Sequence, residues 1–246
     1  MKFSIITAVY NNASSIEQAI LSVLHQKNVS IEYILIDGGS TDGTVEIIKK
    51  YNSQISYFIS EKDKGIYDAL NKGLQQATGD VIGFLHSDDL FSHDNILNNI
   101  SEKFTKIETD GVYGDLQYVD KIDINKVIRF WKSKPFNRSN LKYGWMPAHP
   151  TLFLKKEVYK KHGLFDTKYK ISADYEFMIR ILSDTTYKFD YLPQVITKMR
   201  VGGESNKSIK NIILKSKEDL KAIKKNKIGN LFTLVSKNLR KLSQFF

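Results

Sequence analysis

Short β-branched runs alternate with segments of helical period through the first 90 residues, and no other property of the chain restricts its fold so tightly. "FSIITAV" leads into residues 14–26, where Ile16, Ala19, Ile20, Val23 and Leu24 share one helical face. "IEYILID" passes through the polar loop "GGSTDGT" into a helix predicted over 44–51, with Val45, Ile47 and Ile48 inward. "ISYFIS", a helix predicted over 66–75 and "DVIGFL" repeat the unit. Strands that are apolar throughout are buried on both faces, and strand–helix alternation makes them parallel neighbours under covering helices. Ligands of such sheets bind beyond the carboxyl ends of the strands. Function is therefore sought in the loops "TAVYNN", "IDGGSTDGT", "SEKDKGIYDALNKG" and "LHSDD". Each loop taken singly is ordinary turn chemistry; four polar loops at successive strand ends are harder to dismiss.

A helix predicted over 96–106 follows, then the β-like "GVYGDLQYVD", "KVIRFW" and "TLFLKK", a helix over 173–182, and the strand-rich "YKFDYLPQVITKMRV". No repeat or low-complexity linker separates them. A chain of 246 residues, 41% of them hydrophobic, fills one sizeable core. Residues 1–205 are read as one α/β domain with a mixed, mainly parallel sheet, and residues 206–246 as a basic helical tail. Charge marks the same division. From Lys207 onward eleven Lys and Arg face only Glu218 and Asp219, a net of +9, which leaves +1 of the total +10 for the rest. A near-neutral body argues against a nucleic-acid binder. The absence of cysteine excludes disulfides, thiolate metal sites and Cys nucleophiles, and fits a reducing compartment. "MKFSIITAVYNN" lacks a signal peptide's long apolar region, and no run of about 18 apolar residues is present to span a bilayer. A cytoplasmic location is expected.

"VIGFLHSDDL" ends an apolar run abruptly in His86, Ser87, Asp88 and Asp89. Adjacent carboxylates at a strand mouth repel, so a positive partner is expected there. The glycine patterns of P-loop and Rossmann phosphate sites are absent. A carboxylate-bound Mn²⁺ or Mg²⁺ bridging to phosphate oxygens is the remaining way to meet a polyphosphate. Asp88 and Asp89 would be its ligands, with His86 adding a nitrogen.

Thr7 with Val9, Tyr10 and Asn11, then "IDGGSTDGT", "E-x-D-x-G-I-Y-D-A-x-N-x-G", "GDVIGFLHSDD" and "ADYEFMIRI", in this order over roughly residues 3–200, resemble a family 2 glycosyltransferase of GT-A fold. Within that family the chain is similar to bacterial enzymes that build O-antigen, capsule or exopolysaccharide. The resemblance implies that Thr7, Val9, Tyr10 and Asn11 line a nucleoside pocket and that Asp37 accepts a hydrogen bond from the base. It also implies that Asp63 and Asp68 lie near the ribose, diphosphate or donor sugar. Asp88 matches the last carboxylate of the family's Asp-x-Asp motif, whose first position is His86 here. Gly38 stands where many relatives have Asp, Leu70 where many have Arg, and Ala173 where many have Glu. Asp174, which alone would read as a helix N-cap, matches the general base that deprotonates the acceptor hydroxyl for an inverting displacement. Glu176, two positions on, is read as a surface group. His149 and Trp145 fall in the segment that crosses near the acceptor in relatives, whereas Tyr113 and Asp115 are read as strand residues.

The implied activity is metal-dependent transfer from a nucleotide sugar, UDP-linked, to a glycan or lipid-linked glycan acceptor. A catalytically silent nucleotide-sugar-binding scaffold is the alternative, suggested by His86. In the tail, Ile228, Leu231, Phe232, Val235, Leu239, Leu242 and Phe246 recur at helical spacing among lysines. Such a helix either docks on its own domain or lies on an anionic membrane surface. The second reading is favoured because it suits a lipid-linked acceptor and places the protein peripherally at the inner face of the cell membrane.

Overall fold

In the computed structural model, which describes residues 1–202 and 208–240, the alternating unit is realised in order. β1 (Lys2–Val9), α1 (Ile16–Leu24), β2 (Ser30–Asp37), α2 (Thr44–Lys49), β3 (Tyr57–Ser60), α3 (Ile66–Gln76) and β4 (Val81–Phe84) build a parallel half-sheet in the order β3-β2-β1-β4. β1 shows why its run is largely apolar, its buried Ser4 and Thr7 being hydrogen-bonded to Glu32 and to the Leu85 carbonyl. Phe3, Ile5 and Val9 pack on one side of the sheet with Ile16, Ile20 and Val23, whereas Ile6 and Ala8 pack on the other with Leu70 and Leu74. Side chains alternate across a strand with period two, so a strand covered on both faces has no solvent side for a polar residue.

β5 (Leu90–Phe91), α4 (Ile96–Lys106), β6 (Gly111–Val119), β7 (Val127–Trp131), β8 (Phe153–Lys155), α5 (Lys156–His162), α6 (Ala173–Ser183), β9 (Phe189–Arg200), α7 (Ile209–Lys225) and α8 (Leu231–Arg240) complete the described chain. Beyond β4 the sheet continues β8-β6-β9-β5, and β7 pairs with β6. β8 runs antiparallel to both β4 and β6, and β9 runs parallel to β6. This is the mixed, mainly parallel α/β sheet expected. The stretch 187–201 forms a single strand of 12 residues, β9. β5, two residues long, is too short for any periodicity to announce it.

α7 lies within the segment read as a basic helical tail, but residue patterning did not reveal how it packs. Its covered side carries Glu218, Asp219, Ala222 and Ile223, while Ile212 and Ile213 are exposed. Its acidic residues point inward, so hydropathy does not report its packing. Glu176, read as a surface group, is fully buried. α7 covers that face of α6, and Glu176 pairs with Arg180 at 3.0 Å and Lys225 at 3.0 Å.

α8 docks on the 3₁₀ turn Arg138–Tyr143: Thr233 Oγ1 donates to the Lys142 carbonyl at 2.7 Å and Ser236 Oγ to that of Tyr143 at 2.9 Å. Lys237, 5% exposed, pairs with buried Asp219 at 2.6 Å and lies over the Tyr175 ring. Docking through Thr233, Leu234 and Lys237 leaves Leu231, Phe232, Val235 and Leu239 facing outward. The boundary placed at 205/206, with Leu242 and Phe246, lies outside the described residues.

Candidate active site

Loops at three strand ends are bonded to one another. The Asn11 N–H donates to Ser40 Oγ at 2.7 Å, the Thr41 N–H to Asn11 Oδ1 at 2.9 Å, and the Asn12 N–H to Thr44 Oγ1 at 2.9 Å. Asn12 Nδ2 reaches Ser87 Oγ at 2.9 Å, tying in the loop after β4. Gly43, at φ 96°, turns the chain into α2 in a conformation that disfavours a side chain. Short polar side chains bonded to backbone make a rigid rim without apolar packing.

Asp37 is fully buried beneath this rim. It accepts from the Gly39 and Ser40 N–H groups at 3.0 Å each, from Ser60 Oγ at 2.6 Å and from Ser40 Oγ. As placed, its carboxylate holds the loop. Thr7 and Val9 also lie in the core, because β1 remains inside the sheet through residue 9. The Thr7 hydroxyl donates to the Leu85 carbonyl at 2.7 Å. The chain emerges only at Tyr10, 65% exposed, and Asn11. Tyr10 and Asp63 meet over Gly38, where a Cβ would collide with Asp63 Oδ2. Gly38 thus makes room for the Asp63 carboxylate, whose Oδ1 accepts from the Gly65 N–H at 2.8 Å. Asp68 accepts from the Lys64 N–H at 3.0 Å and lies 3.8 Å from Lys72.

The positive partner of the acidic pair is Arg200, at the end of β9. Its Nη1 donates to the Asp88 carbonyl at 2.5 Å, its Nε to that of Lys121 at 3.2 Å and its Nη2 to the Gln18 side chain. No local pattern in "KMRV" announces this role; the pairing of β5 with β9 creates it. Asp89 is 1% exposed with both carboxylate oxygens unpartnered. Burial and the neighbouring Asp88 push its pKa well above the carboxylate range, against the pull of Arg200. Asp88 stays partly exposed. Among the described residues, no group of three or more His, Cys, Asp or Glu side chains is set to hold a metal. The expected trio falls short because Asp89 turns into the protein. His86 retains a buried Nδ1 with no hydrogen-bond partner, and burial lowers its pKa against Asp88 and Asp174. A neutral imidazole is a suitable ligand for a Mn²⁺-type ion, so His86 together with Asp88 would be the residues to hold one.

Asp174 is the second residue of α6, after the N-cap Ser172. Oδ1 accepts from the Tyr67 hydroxyl at 2.9 Å, and Oδ2 lies 3.8 Å from His149 Nδ1. Its side chain is 30% exposed. Burial would raise its pKa, but His149, Lys215, Tyr67 and the Tyr175 N–H outweigh that and lower it. Tyr67 is pushed far above its ordinary range by burial and by Asp174, so it remains a neutral donor. It stood in the "GIYDA" motif, where nothing local showed that its hydroxyl reaches α6. His149 is buried with Nε2 unpartnered, and burial brings its pKa down to about 4. Its ring centre is 6.1 Å from that of His86. Asp174, His149 and His86 therefore run from α6 to the end of β4. Trp145 packs instead on Tyr113 at 6.0 Å and Phe136 at 5.9 Å. Tyr113 and Asp115 are buried residues of β6.

Residues 4–163 match the family model described as Glycosyl transferase family 2. A relative from Mycobacterium bovis, named PGL/p-HBAD biosynthesis glycosyltransferase, is 28% identical over 218 residues, covering 87% of this chain and 82% of the relative. Residues 1–349 of S. aureus TarS in complex with UDP align with a TM-score of 0.69 at 21% identity, over 99% of this chain and 72% of that one. This chain spans 43% of the longer TarS chain. Mannosyltransferase PcManGT from Pyrobaculum calidifontis, in complex with GDP-Man and Mn²⁺, aligns with a TM-score of 0.65 at 19% identity, over 91% of this chain and 63% of that one. These likenesses bear out the GT-A architecture. The family match runs unbroken from β1 through α5, and the chain belongs to glycosyl transferase family 2.

Proposed function

We propose that this glycosyltransferase moves a sugar from a UDP-linked donor to a hydroxyl of a glycan or lipid-linked glycan, with inversion at the anomeric carbon. One observation carries the reading. Asp174 is a partly exposed carboxylate at the head of a buried helix, fixed by Tyr67 and facing a neutral His149. A carboxylate so held is placed to take a proton.

Tyr10, Asn11, Asp63 and Asp68 form the rim offered to the nucleoside and ribose, while Asp37, Thr7 and Val9 support it from below. Asp88 and His86 would hold Mn²⁺ or Mg²⁺, which when bound offsets the charge of the leaving diphosphate. The complexes of TarS with UDP and of PcManGT with GDP-Man and Mn²⁺ support a nucleotide donor and a divalent ion. The acceptor hydroxyl gives its proton to Asp174 as its oxygen attacks the anomeric carbon. The diphosphate leaves from the opposite face, so the configuration inverts. The unpartnered Nε2 of His149 supports an acceptor contact there.

The outward stripe of α8 lies beside exposed Tyr143, whose ring packs on Phe232 and under Lys142. It suits an anionic membrane surface carrying the acceptor, as in surface polysaccharide assembly. No described helix is long and apolar enough to cross a membrane. Calorimetric titration with UDP, GDP, CDP and dTDP, each with Mn²⁺ and with chelator, tests the donor site. Metal-dependent binding of UDP is expected. Absence of binding by any of the four under both conditions would sink the reading in favour of a silent scaffold.

A further inference from the structure

Three consecutive backbone N–H groups converge on one carboxylate. Those of Lys170, Ile171 and Ser172 donate to Glu218 of α7 at 2.8, 2.9 and 2.9 Å, and Glu218 is 8% exposed. Hydrogen bonds to a carboxylate are among the stronger ones, and three in succession fix a peptide's orientation. The segment they fix is the entry to α6. It includes Ser172, the N-cap residue, whose side chain makes no capping bond, so the position of this entry peptide is set by Glu218.

Two links connect this clamp to Asp174. The clamped chain reaches Asp174 two residues after Ser172. The Tyr67 hydroxyl sits between the Ile171 carbonyl at 2.7 Å and Asp174 Oδ1 at 2.9 Å, so Tyr67 is registered against the clamped peptide and the carboxylate together. C-terminal to the clamp, α7 also bonds the two helices beside it. Lys225 pairs with fully buried Glu176 of α6, and Asp219 pairs with Lys237 of α8. Neither Asp174 nor α7 falls within the stretch matched by the family model, which ends at residue 163.

We infer that Glu218, reaching across from α7, is a positioning residue for Asp174. The inference rests on the reading of Asp174 as the base. Replacing Glu218 by Gln presents an amide NH₂ to at least one backbone N–H and leaves a buried donor unsatisfied. The loss falls on the peptide that aims Asp174, while the donor rim at the ends of β1, β2 and β4 is untouched.

The test compares the full chain with its Glu218→Gln and Asp219→Asn variants. Asp219 neighbours Glu218 on α7 and is equally buried, but it bonds α8 rather than residues 170–172. UDP affinity is measured with Mn²⁺ by calorimetry. Turnover is measured as UDP release from UDP-glucose, UDP-galactose and UDP-N-acetylglucosamine, with octyl glucoside and octyl N-acetylglucosaminide as acceptors. Glu218→Gln is expected to keep UDP affinity and donor KM within about threefold and to lose about tenfold or more in kcat. Asp219→Asn is expected to lose at least as much in Tm while keeping kcat within about threefold. Normal kcat in Glu218→Gln, or kcat falling in both variants in step with Tm, overturns the inference. Should Glu218→Gln not fold, Glu218→Asp, which keeps the charge and shortens its reach, is held to the same numbers. A wild-type chain that binds UDP yet turns over none of these donors overturns the proposed function itself.

Discussion

Asp174 and His149 face each other at 3.8 Å, and their environments drive them to different states. Buried His149 is held neutral with a pKa of about 4, while the surroundings of Asp174 favour its carboxylate. Asp174→Asn should keep UDP affinity within about twofold, because no donor-rim residue touches it, and should lower turnover by about a hundredfold or more; near-normal turnover would remove Asp174 as base. His149 adds a stability effect whose sign follows from linkage. Its folded pKa lies below the unfolded value of about 6.5, so the unfolded chain binds the extra proton between those two values. The contribution is fully present above pH 6.5 and is lost as pH falls toward 4, a change on the order of 3 kcal/mol. Denaturation at several pH values should show a shallower acid decline in His149→Phe than in the parent, and parallel curves would contradict it. Asp88→Ala should weaken Mn²⁺-dependent UDP binding about tenfold or more and leave binding in chelator unchanged, as calorimetry would show.

At the scale of elements, periodicity located β1 to β4 and their helices because each is apolar on whichever faces the core covers. Helix ends shifted by a residue or two where capping and the last turn decide them. The packing face of α7 escaped because it presents acidic side chains inward: Glu218 meets backbone N–H groups and Asp219 meets a lysine, and neither partner is visible in hydropathy. α8 was visible as an amphipathic helix, but its covered face was not. It docks through Thr233, Leu234 and Lys237, and its more apolar stripe is left outside. The Lys237–Asp219 pair has both members within 5% exposure, so removing one strands the other's charge. Asp219→Ala should cost about 3–5 kcal/mol in denaturant unfolding; a cost below about 1 kcal/mol would mean that water reaches Lys237.

For the molecule as a whole, the sheet changes from all-parallel to mixed beyond β4, and that change brings distant residues to one place. Arg200 closes on the Asp88 loop, His149 arrives beside His86, and α6 brings Asp174 against Tyr67 of α3. α8 sits on the 3₁₀ turn before Trp145 with Leu231, Phe232, Val235 and Leu239 turned outward. Phe232→Ser combined with Leu239→Ser should remove about 3 kcal/mol of apolar burial and so weaken sedimentation with anionic liposomes about a hundredfold, with UDP binding unchanged. Equal sedimentation of variant and parent would exclude a membrane role for the stripe. What the amino-acid sequence determined by itself was the layered α/β architecture and the set of polar loops at the strand ends, because period, turn residues and motif order are local quantities. It also marked Asp174, Asp88 and His86 through the order of motifs. Only the tertiary structure decided that Asp89, Thr7 and Asp37 are buried, that Arg200 answers the acidic pair, and that Glu218 holds the approach to Asp174. Burial and pairing between residues tens to more than a hundred positions apart depend on which strands become neighbours, and no local pattern encodes that.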